Sequence, residues 1–307
     1  MIMKFIFKAV SLVALVTVFL TASAQAQSWL TNGLVAYYPF NGNANNIAGS
    51  NDFGGTISGT VSLSTNRFNL PNSSYRFSGV ANSALNFGNP PWLNGSTNAS
   101  WSWWIATTNT PISGWVSIFR KRESWLVMQW AIDAAVVGKE YRAVFNSTPP
   151  NFVYPTNTIK ADGKWCHLCL IYDGQFLSIF RNGFLVKSQA YAYGGLNTNS
   201  YSFMVGGSEA GNENFNGWVD DIRIYNRALS SNEVAQLYVI ESGAPLLGVT
   251  TYSNSPVVFY PTASGTNFTL QMATNLNAPI WLAVTNGEPF SGVRITNAPP
   301  NAFFRLN

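Results

Sequence analysis

Between Gly163 and Ser188 the chain alternates short strand-forming runs with dipeptide turns, and this pattern constrains the fold class more than any other stretch. Trp165 to Tyr172 is apolar at odd and even positions alike. Asp173-Gly174 follows as a turn, Gln175 to Arg181 forms a second run, and Asn182-Gly183 makes a second turn of the kind that most strongly signals a tight hairpin. Phe184 to Ser188 opens a third run. Successive strand side chains point to opposite faces. A run that is apolar on both faces therefore belongs in the middle of a sheet covered on both sides. The expectation is a three-stranded antiparallel meander. Similar runs punctuated by turn residues recur along the chain, which argues for an all-β sandwich or barrel.

Composition supports this reading. Apolar residues make up 47% of the 307-residue chain, enough for a core, whereas charged residues are only 10%, far below the usual quarter or so. The polar surface must then come from Asn, Ser, Thr and Gly, a poor supply for long solvent-facing helices. Asn216 to Tyr225 reads as a further strand, with Ile222 and Ile224 on one face and Asp221 and Arg223 on the other. Directly after it, Ser230 and Glu233 have the spacing of a capping box. Val234, Leu237 and Tyr238 share one face of the helix that starts there, two or three turns long. Glu241 to Pro245 has linker composition. Beyond it, Pro256 to Tyr260, Asn267 to Met272, Ile280 to Val284, Gly292 to Thr296 and Phe303 to Leu306 read as short strands. The expected organisation is a large β domain over 33–241, a linker over 242–245 and a small β domain over 246–307.

The N-terminus has the plan of a secretory signal: Lys4 and Lys8, an apolar run from Ala9 to Leu20, and Ala24-Gln25-Ala26 as the cleavage site. The alternative is an uncleaved anchor, but the run falls short of the about 20 residues a bilayer span needs. The expected signal is 1–26. Losing Lys4 and Lys8 leaves 15 basic residues against 13 acidic ones, a net charge of about +2. The one basic cluster, Arg120-Lys121-Arg122, is followed by Glu123, so the footprint of a nucleic-acid-binding chain is missing. The two cysteines, Cys166 and Cys169, form a C-x-x-C on a strand. Three strand steps separate their Cα atoms by about 10 Å, too far for a disulfide. The expectation is two buried free thiols, with a metal or redox site as the alternative.

Five segments, in order, resemble the laminin G-like, concanavalin A-like jelly roll of exported bacterial proteins. Gly33-Leu34-Val35-Ala36-Tyr37-Tyr38-Pro39-Phe40-Asn41-Gly42-Asn43-Ala44 is similar to its first strand and loop. Asn66-Arg67-Phe68 with Ser74 to Gly79, and Trp101 to Ile105, are similar to the next two signatures. Gly163 to Gly174 with Arg181-Asn182-Gly183 is similar to its Trp-His…Tyr-Asp-Gly…Asn-Gly meander, and Phe215 to Ser230 to its closing strand and helix. The resemblance covers about 200 residues and implies an antiparallel jelly-roll sandwich. The last 60 residues, through Thr274-Asn275-Leu276, Trp281 and Phe303-Phe304-Arg305-Leu306, are similar to a short C-terminal β module of exported proteins.

The fold also hosts glycosidases, whose retaining members need two carboxyls about 5–5.5 Å apart. The chain lacks the E-x-D-x-x-E run that usually supplies them. Its nearest acid pairs are Glu209/Glu213, across a Gly/Asn loop, and Asp220/Asp221, which as neighbours on a strand should face opposite ways. His167 is the one histidine and alternates with Cys169 and Ile171 on an apolar strand, where a packed, hydrogen-bonded role is expected. The resemblance implies a structural Ca²⁺ held by hard oxygen ligands, with Glu209, Asn212, Glu213, Asp220 and Asp221 as candidate ligands. Ser78 and Asn82-Ser83 stand where the family pattern carries acids, and Asp221 has Arg223 as an alternative partner. Seven tryptophans fall between Trp92 and Trp130. Most are expected in the core. Trp101 and Trp103 share a face and Trp104 takes the other. Trp92, after Pro90-Pro91, and Trp115, after Gly114, are the candidates for an exposed ligand platform.

Together these readings point to an exported, non-catalytic binding or adhesion protein that recognises a glycan or a cell-surface component. The partners are not nucleic acids, and the mature chain has no membrane span. The alternatives are a structural surface or matrix spacer without a small ligand, and a glycosidase with an unusual acid pair.

Overall fold

The computed structural model describes residues 28–49, 53–108, 115–122, 128–135, 141–145, 152–153, 162–191, 194–208 and 213–243, and six short strands between 248 and 306. The expected signal, 1–26, lies outside the described residues. Two compact units divide the chain, Met1–Ala235 and Gln236–Asn307. The described part of the first unit opens with a short helix, α1 (Ser28–Thr31), and then runs through fifteen strands. These are β1 (Leu34–Tyr38), β2 (Thr56–Ser58), β3 (Val61–Ser64), β4 (Ser74–Ser78), β5 (Ala84–Asn86), β6 (Ala99–Ala106), β7 (Trp115–Arg122), β8 (Met128–Ala135), β9 (Tyr141–Phe145), β10 (Phe152–Val153), β11 (Cys166–Tyr172), β12 (Phe176–Arg181), β13 (Phe184–Ala190), β14 (Phe203–Val205) and β15 (Asn216–Tyr225).

They form two antiparallel sheets. The eight-stranded sheet runs β13-β12-β11-β6-β15-β4-β3, with β1 also pairing β15; the seven-stranded sheet runs β10-β9-β8-β7-β14-β5-β2. This is the expected all-β jelly-roll sandwich. The meander β11-β12-β13 forms as anticipated. β11 lies inside the sheet, between β12 and β6, with all seven residues buried.

Strand alternation places the core between the sheets. Trp101, Trp103 and Ile105 of β6 and Leu168, Leu170 and Tyr172 of β11 are buried in it beside Ile118, Phe119, Phe145 and Phe203. Trp103 meets Phe119 edge-on at 4.9 Å, and Trp101 stacks on Phe145 at 5.5 Å. Such pairs add about 0.5–1.5 kcal/mol beyond their buried area. Cys166 joins the core, while Cys169 is buried on the opposite face. Both are free thiols, and burial pushes Cys166 up to about 11, where it stays protonated and unreactive at neutral pH.

The helix α2 (Ser231–Ser242) follows β15 after a short loop. Its capping box closes both ways: Glu233 N donates to Ser230 Oγ at 3.2 Å, and Ser230 N donates to Glu233 Oε2 at 2.7 Å. It reaches Ser242, one residue into the expected linker. In the second unit, β16 (Gly248–Tyr252), β17 (Ser255–Phe259) and β20 (Gly292–Arg294) form one three-stranded sheet. β18 (Leu270–Ala273), β19 (Leu282–Ala283) and β21 (Phe303–Leu306) form another. β16 was not anticipated: Gly248-Val249-Thr250-Thr251-Tyr252 has one bulky aliphatic side chain, and its strand state comes from pairing with β17. Among the described residues no helix is long and apolar enough to cross a membrane.

Candidate functional site

The outer face of the eight-stranded sheet, opposite the core, carries polar and aromatic side chains in rows. Near its centre, Arg67 donates from Nη1 to Asp220 Oδ2 and from Nη2 to Asp221 Oδ2, each at 2.7 Å. Its guanidinium lies over Trp104 at 4.4 Å and Phe68 at 4.5 Å. Tyr37 Oη donates to Asp221 Oδ1 at 2.8 Å, and Arg223 covers the Tyr37 ring at 3.6 Å. The expectation that Asp220 and Asp221 face opposite ways is corrected here. The pairing register with β6 shifts between Asp220 and Arg223, and Asp221 takes φ +46°. This β-bulge inserts one residue and re-aims its side chain. Both carboxylates thereby reach the same guanidinium, while Ile222 and Ile224 stay in the core.

Beside this cluster, Ser102 Oγ and His167 Nε2 are 2.8 Å apart. The distance is that of a nucleophile and its base, but both residues are completely buried. Burial, with Arg67 and Arg223 adding to it, pushes His167 down to about 3. The pair is a buried neutral hydrogen bond that no substrate reaches. Asn182 fixes it from the hairpin turn: His167 N donates to Asn182 Oδ1, and Asn182 N to His167 O, each at 2.9 Å.

Of the remaining candidate metal ligands, Glu213 is the one within the described residues. Glu213 accepts from Arg120, Arg122 and Ser117, all on β7 of the other sheet. Glu209 and Asn212 lie outside the described residues. Among the described candidates, Asp220 and Asp221 are thus engaged by Arg67 and Glu213 by Arg120 and Arg122, whereas Ca²⁺ asks for 6–8 oxygen ligands. Among the described residues no group of three or more His, Cys, Asp or Glu side chains comes together.

Of the two platform candidates, Trp92 is the one whose side chain is described. Trp92 is not exposed but partly buried against the core. It meets Phe53 edge-on at 5.5 Å and lies 6.4 Å from Tyr38 and 6.3 Å from Phe203. Trp115 begins β7; its side chain lies outside the described residues.

An open groove of about 350 Å³ lies on the outer face between β11, β12 and the start of α2. Buried Ile171, Phe180 and Leu229 line its floor, while Asp173, Ser178, Ser230, Ser231 and Glu233 line its sides. Each wall has a local cause. Asp173 Oδ1 accepts from Gln175 N at 2.9 Å and Phe176 N at 2.6 Å, an Asx turn that starts β12. Ser178 Oγ donates to Ser188 Oγ across to β13. Ser100 Oγ donates to Arg227 O and accepts from Leu229 N, pinning the loop before α2 against β6. Arg227 grips Glu233 through two bonds, at 2.8 and 3.0 Å. Burial pushes the Glu233 carboxyl up, but the bonds from Arg227 and Ser230 outweigh it and hold its pKa below the usual value.

Alternation along β12 puts Phe176 on the same face as Ser178 and Phe180, and Leu185 of β13 stands directly opposite Phe180. Phe176 is 45% exposed and Leu185 55%. They extend the apolar floor onto open surface. Sequence reasoning missed this site. The available signal was Phe176 to Phe180, a run with large apolar residues on both faces next to an edge strand that cannot cover them.

The comparisons with known proteins agree with this architecture. No curated protein matches the chain. Domain 4 of the extracellular arabinanase AbnA from Geobacillus stearothermophilus, solved with arabinotriose, is similar at TM-score 0.53 and 20% identity, over 67% of this chain and 98% of that one. The binding domain of Paraclostridial Mosquitocidal Protein 1 is similar at TM-score 0.57 and 14% identity, over 90% of this chain and 76% of that one. The botulinum neurotoxin serotype D ligand binding domain, solved with N-acetylneuraminic acid, is similar at TM-score 0.54 and 14% identity, over 82% and 69%. At these identities the likeness is one of fold. A laminin G model described as the concanavalin A-like lectin/glucanases superfamily matches residues 78–235, just over half of the sequence. The order of strands, the two facing sheets and that match make the chain a member of the concanavalin A-like lectin/glucanase superfamily, of its laminin G type.

Proposed function

We propose that this protein is an exported, non-catalytic carbohydrate-binding protein that holds a saccharide in the groove between β11, β12 and the start of α2, and serves adhesion to a glycan-bearing surface. The observation that carries the reading is the groove itself. An apolar floor of Ile171, Phe180 and Leu229, extended by Phe176 and bordered by hydroxyls and carboxylates, offers what a sugar needs: a surface for its C–H face and partners for its hydroxyls. The volume suits a small ligand. Arabinotriose and N-acetylneuraminic acid on two proteins of similar fold make saccharides the first ligands to try.

Several observations favour binding over hydrolysis. Asp220 and Asp221 are held by Arg67, Glu213 by Arg120 and Arg122, and Glu233 by Arg227. A retaining pair needs one carboxyl that titrates as an acid and one free to attack. Export rests on the signal-like residues 1–26, and a secreted product beginning at Gln27 would establish it. The unit Gln236–Asn307 acts in this reading as the tether or spacer.

The experiment is thermal melting of the mature protein against a polysaccharide panel, with calorimetry on the best ligand. A ligand that binds only the folded state raises Tm by mass action, by about 2.7 kcal/mol at a hundred times Kd. Phe176→Ala should weaken that ligand about tenfold, some 1.4 kcal/mol, with Tm of the free protein unchanged. A panel without any shift, or a ligand indifferent to Phe176→Ala and Ser178→Ala, overturns the assignment.

A further inference from the structure

We infer that the groove selects uncharged saccharides and rejects their uronic-acid counterparts; this rests on the reading of the groove as a saccharide site. Among the described residues only two ionisable ones line it, Asp173 and Glu233, and both are carboxylates. Glu233 presents no free charge. Its two oxygens accept from Arg227 Nη1 and Nη2 and from Ser230 N. Arg227 is itself fully engaged, with its remaining N–H groups on Asn32 O, Ala228 O and Trp29 O. The nearest cation on β13, Lys187, stands opposite the core residue Ile179 and so points to the other face from Ser178.

Asp173 differs. Its Oδ1 takes both turn bonds, and its Oδ2 takes none among the described residues. Asp173 thus brings an acceptor and an uncompensated negative charge to the rim. Ser178 Oγ donates to Ser188, which leaves its lone pairs to act as acceptors. A lining rich in acceptors matches a ligand rich in donors. Sugar hydroxyls supply donors, and one placed on Asp173 forms a charge-assisted hydrogen bond. A uronate has traded a donor for an acceptor-only group. It would stand beside Asp173 with no cation among the described lining residues to offset the repulsion, above an apolar floor that screens poorly.

The test pairs each neutral glycan with its C6-carboxyl counterpart: galactan with polygalacturonate, mannan with polymannuronate, and glucose oligomers with their C6-oxidised forms. Arabinotriose and N-acetylneuraminic acid serve as additional neutral and acidic probes. Calorimetry on the full mature chain at pH 7 should show the acidic member of the binding pair at least about tenfold weaker, with the gap narrowing as salt rises. Asp173→Asn keeps Oδ1 for the turn and removes the charge. It should bring the two members within about threefold by strengthening the acidic one, with Tm unchanged. Equal or tighter binding of the acidic member, or a gap that survives Asp173→Asn, overturns the selectivity while leaving the groove as a saccharide site. Silence from every pair overturns the groove reading and this inference with it.

Discussion

Two halves of one sheet face treat their charges in opposite ways. Around Arg67, two carboxylates, two guanidiniums, a phenol and an indole satisfy one another, and the Arg67 side chain is 7% exposed. Around Asp173, a groove stays open, with an apolar floor and a carboxylate oxygen without a partner among the described residues. The same sheet carries both, so sheet geometry does not make the distinction. It comes from what lies above. The 66–72 loop lowers Arg67 onto β15 and closes the first half. The loop before α2, pinned by Ser100, stands to one side of β12 and leaves the second half open. A closed charge cluster fixes structure, and an open one is available to a ligand.

The sharpest way to break this contrast is Arg67→Ala. It leaves Asp220, 1% exposed, without its counter-ion. Losing one partner of a buried pair costs about 3–5 kcal/mol, to be read as a shift of the denaturant midpoint at unchanged slope. If Arg67→Ala costs less than 1 kcal/mol, the cluster is not the structural half.

Acid provides the next test. The His167 pKa is pushed down to about 3 in the folded protein, against 6.5 unperturbed. Between these values the unfolded chain binds a proton that the folded one refuses, so stability is full above pH 6.5 and falls as pH drops towards 3. The limiting slope is about 1.4 kcal/mol per pH unit. With one histidine in the chain, the loss between pH 6.5 and 5, above the range where ordinary carboxylates titrate, belongs to His167. His167→Gln should flatten it.

Ser230→Ala removes the side-chain half of the capping box and should cost about 1 kcal/mol. Because Ser230 also borders the groove, comparison with Ser231→Ala separates helix stability from ligand contact. The smallest stability effect belongs to the open half. Phe176→Ala and Leu185→Ala are surface changes and should stay within about 0.5 kcal/mol of the parent, while Phe176→Ala weakens saccharide binding. A large loss of stability from either would mean that these side chains belong to the fold and not to a ligand site.

Much of the architecture was legible because strand periodicity is local. The Asn182-Gly183 hairpin, the doubly apolar β11, the span of β15 and the Ser230–Glu233 box can all be read from neighbouring residues. The opposite faces of Trp103 and Trp104 follow from the same rule. The errors arose where that rule is broken or where distant segments meet. Asp220 and Asp221 were assigned opposite faces because alternation holds in a regular strand, and a bulge at Asp221 suspends it. Trp92 was expected on the surface because it follows Pro-Pro, but the loop folds back onto Phe53, Tyr38 and Phe203.

By itself the sequence determined that this chain is a β sandwich, where its meander and helix start, that its cysteines stay apart, and that Trp101 and Trp103 share a face opposite Trp104. Each follows from spacing along a few residues. Only the tertiary structure decided which charges are neutralised and which stay open. Arg67 is 153 residues from Asp220 along the chain, and the groove joins residues of β11 and β12 to the loop before α2. Whether a carboxylate meets a guanidinium or solvent depends on a few ångströms between such segments, a distance set by packing and not by local pattern.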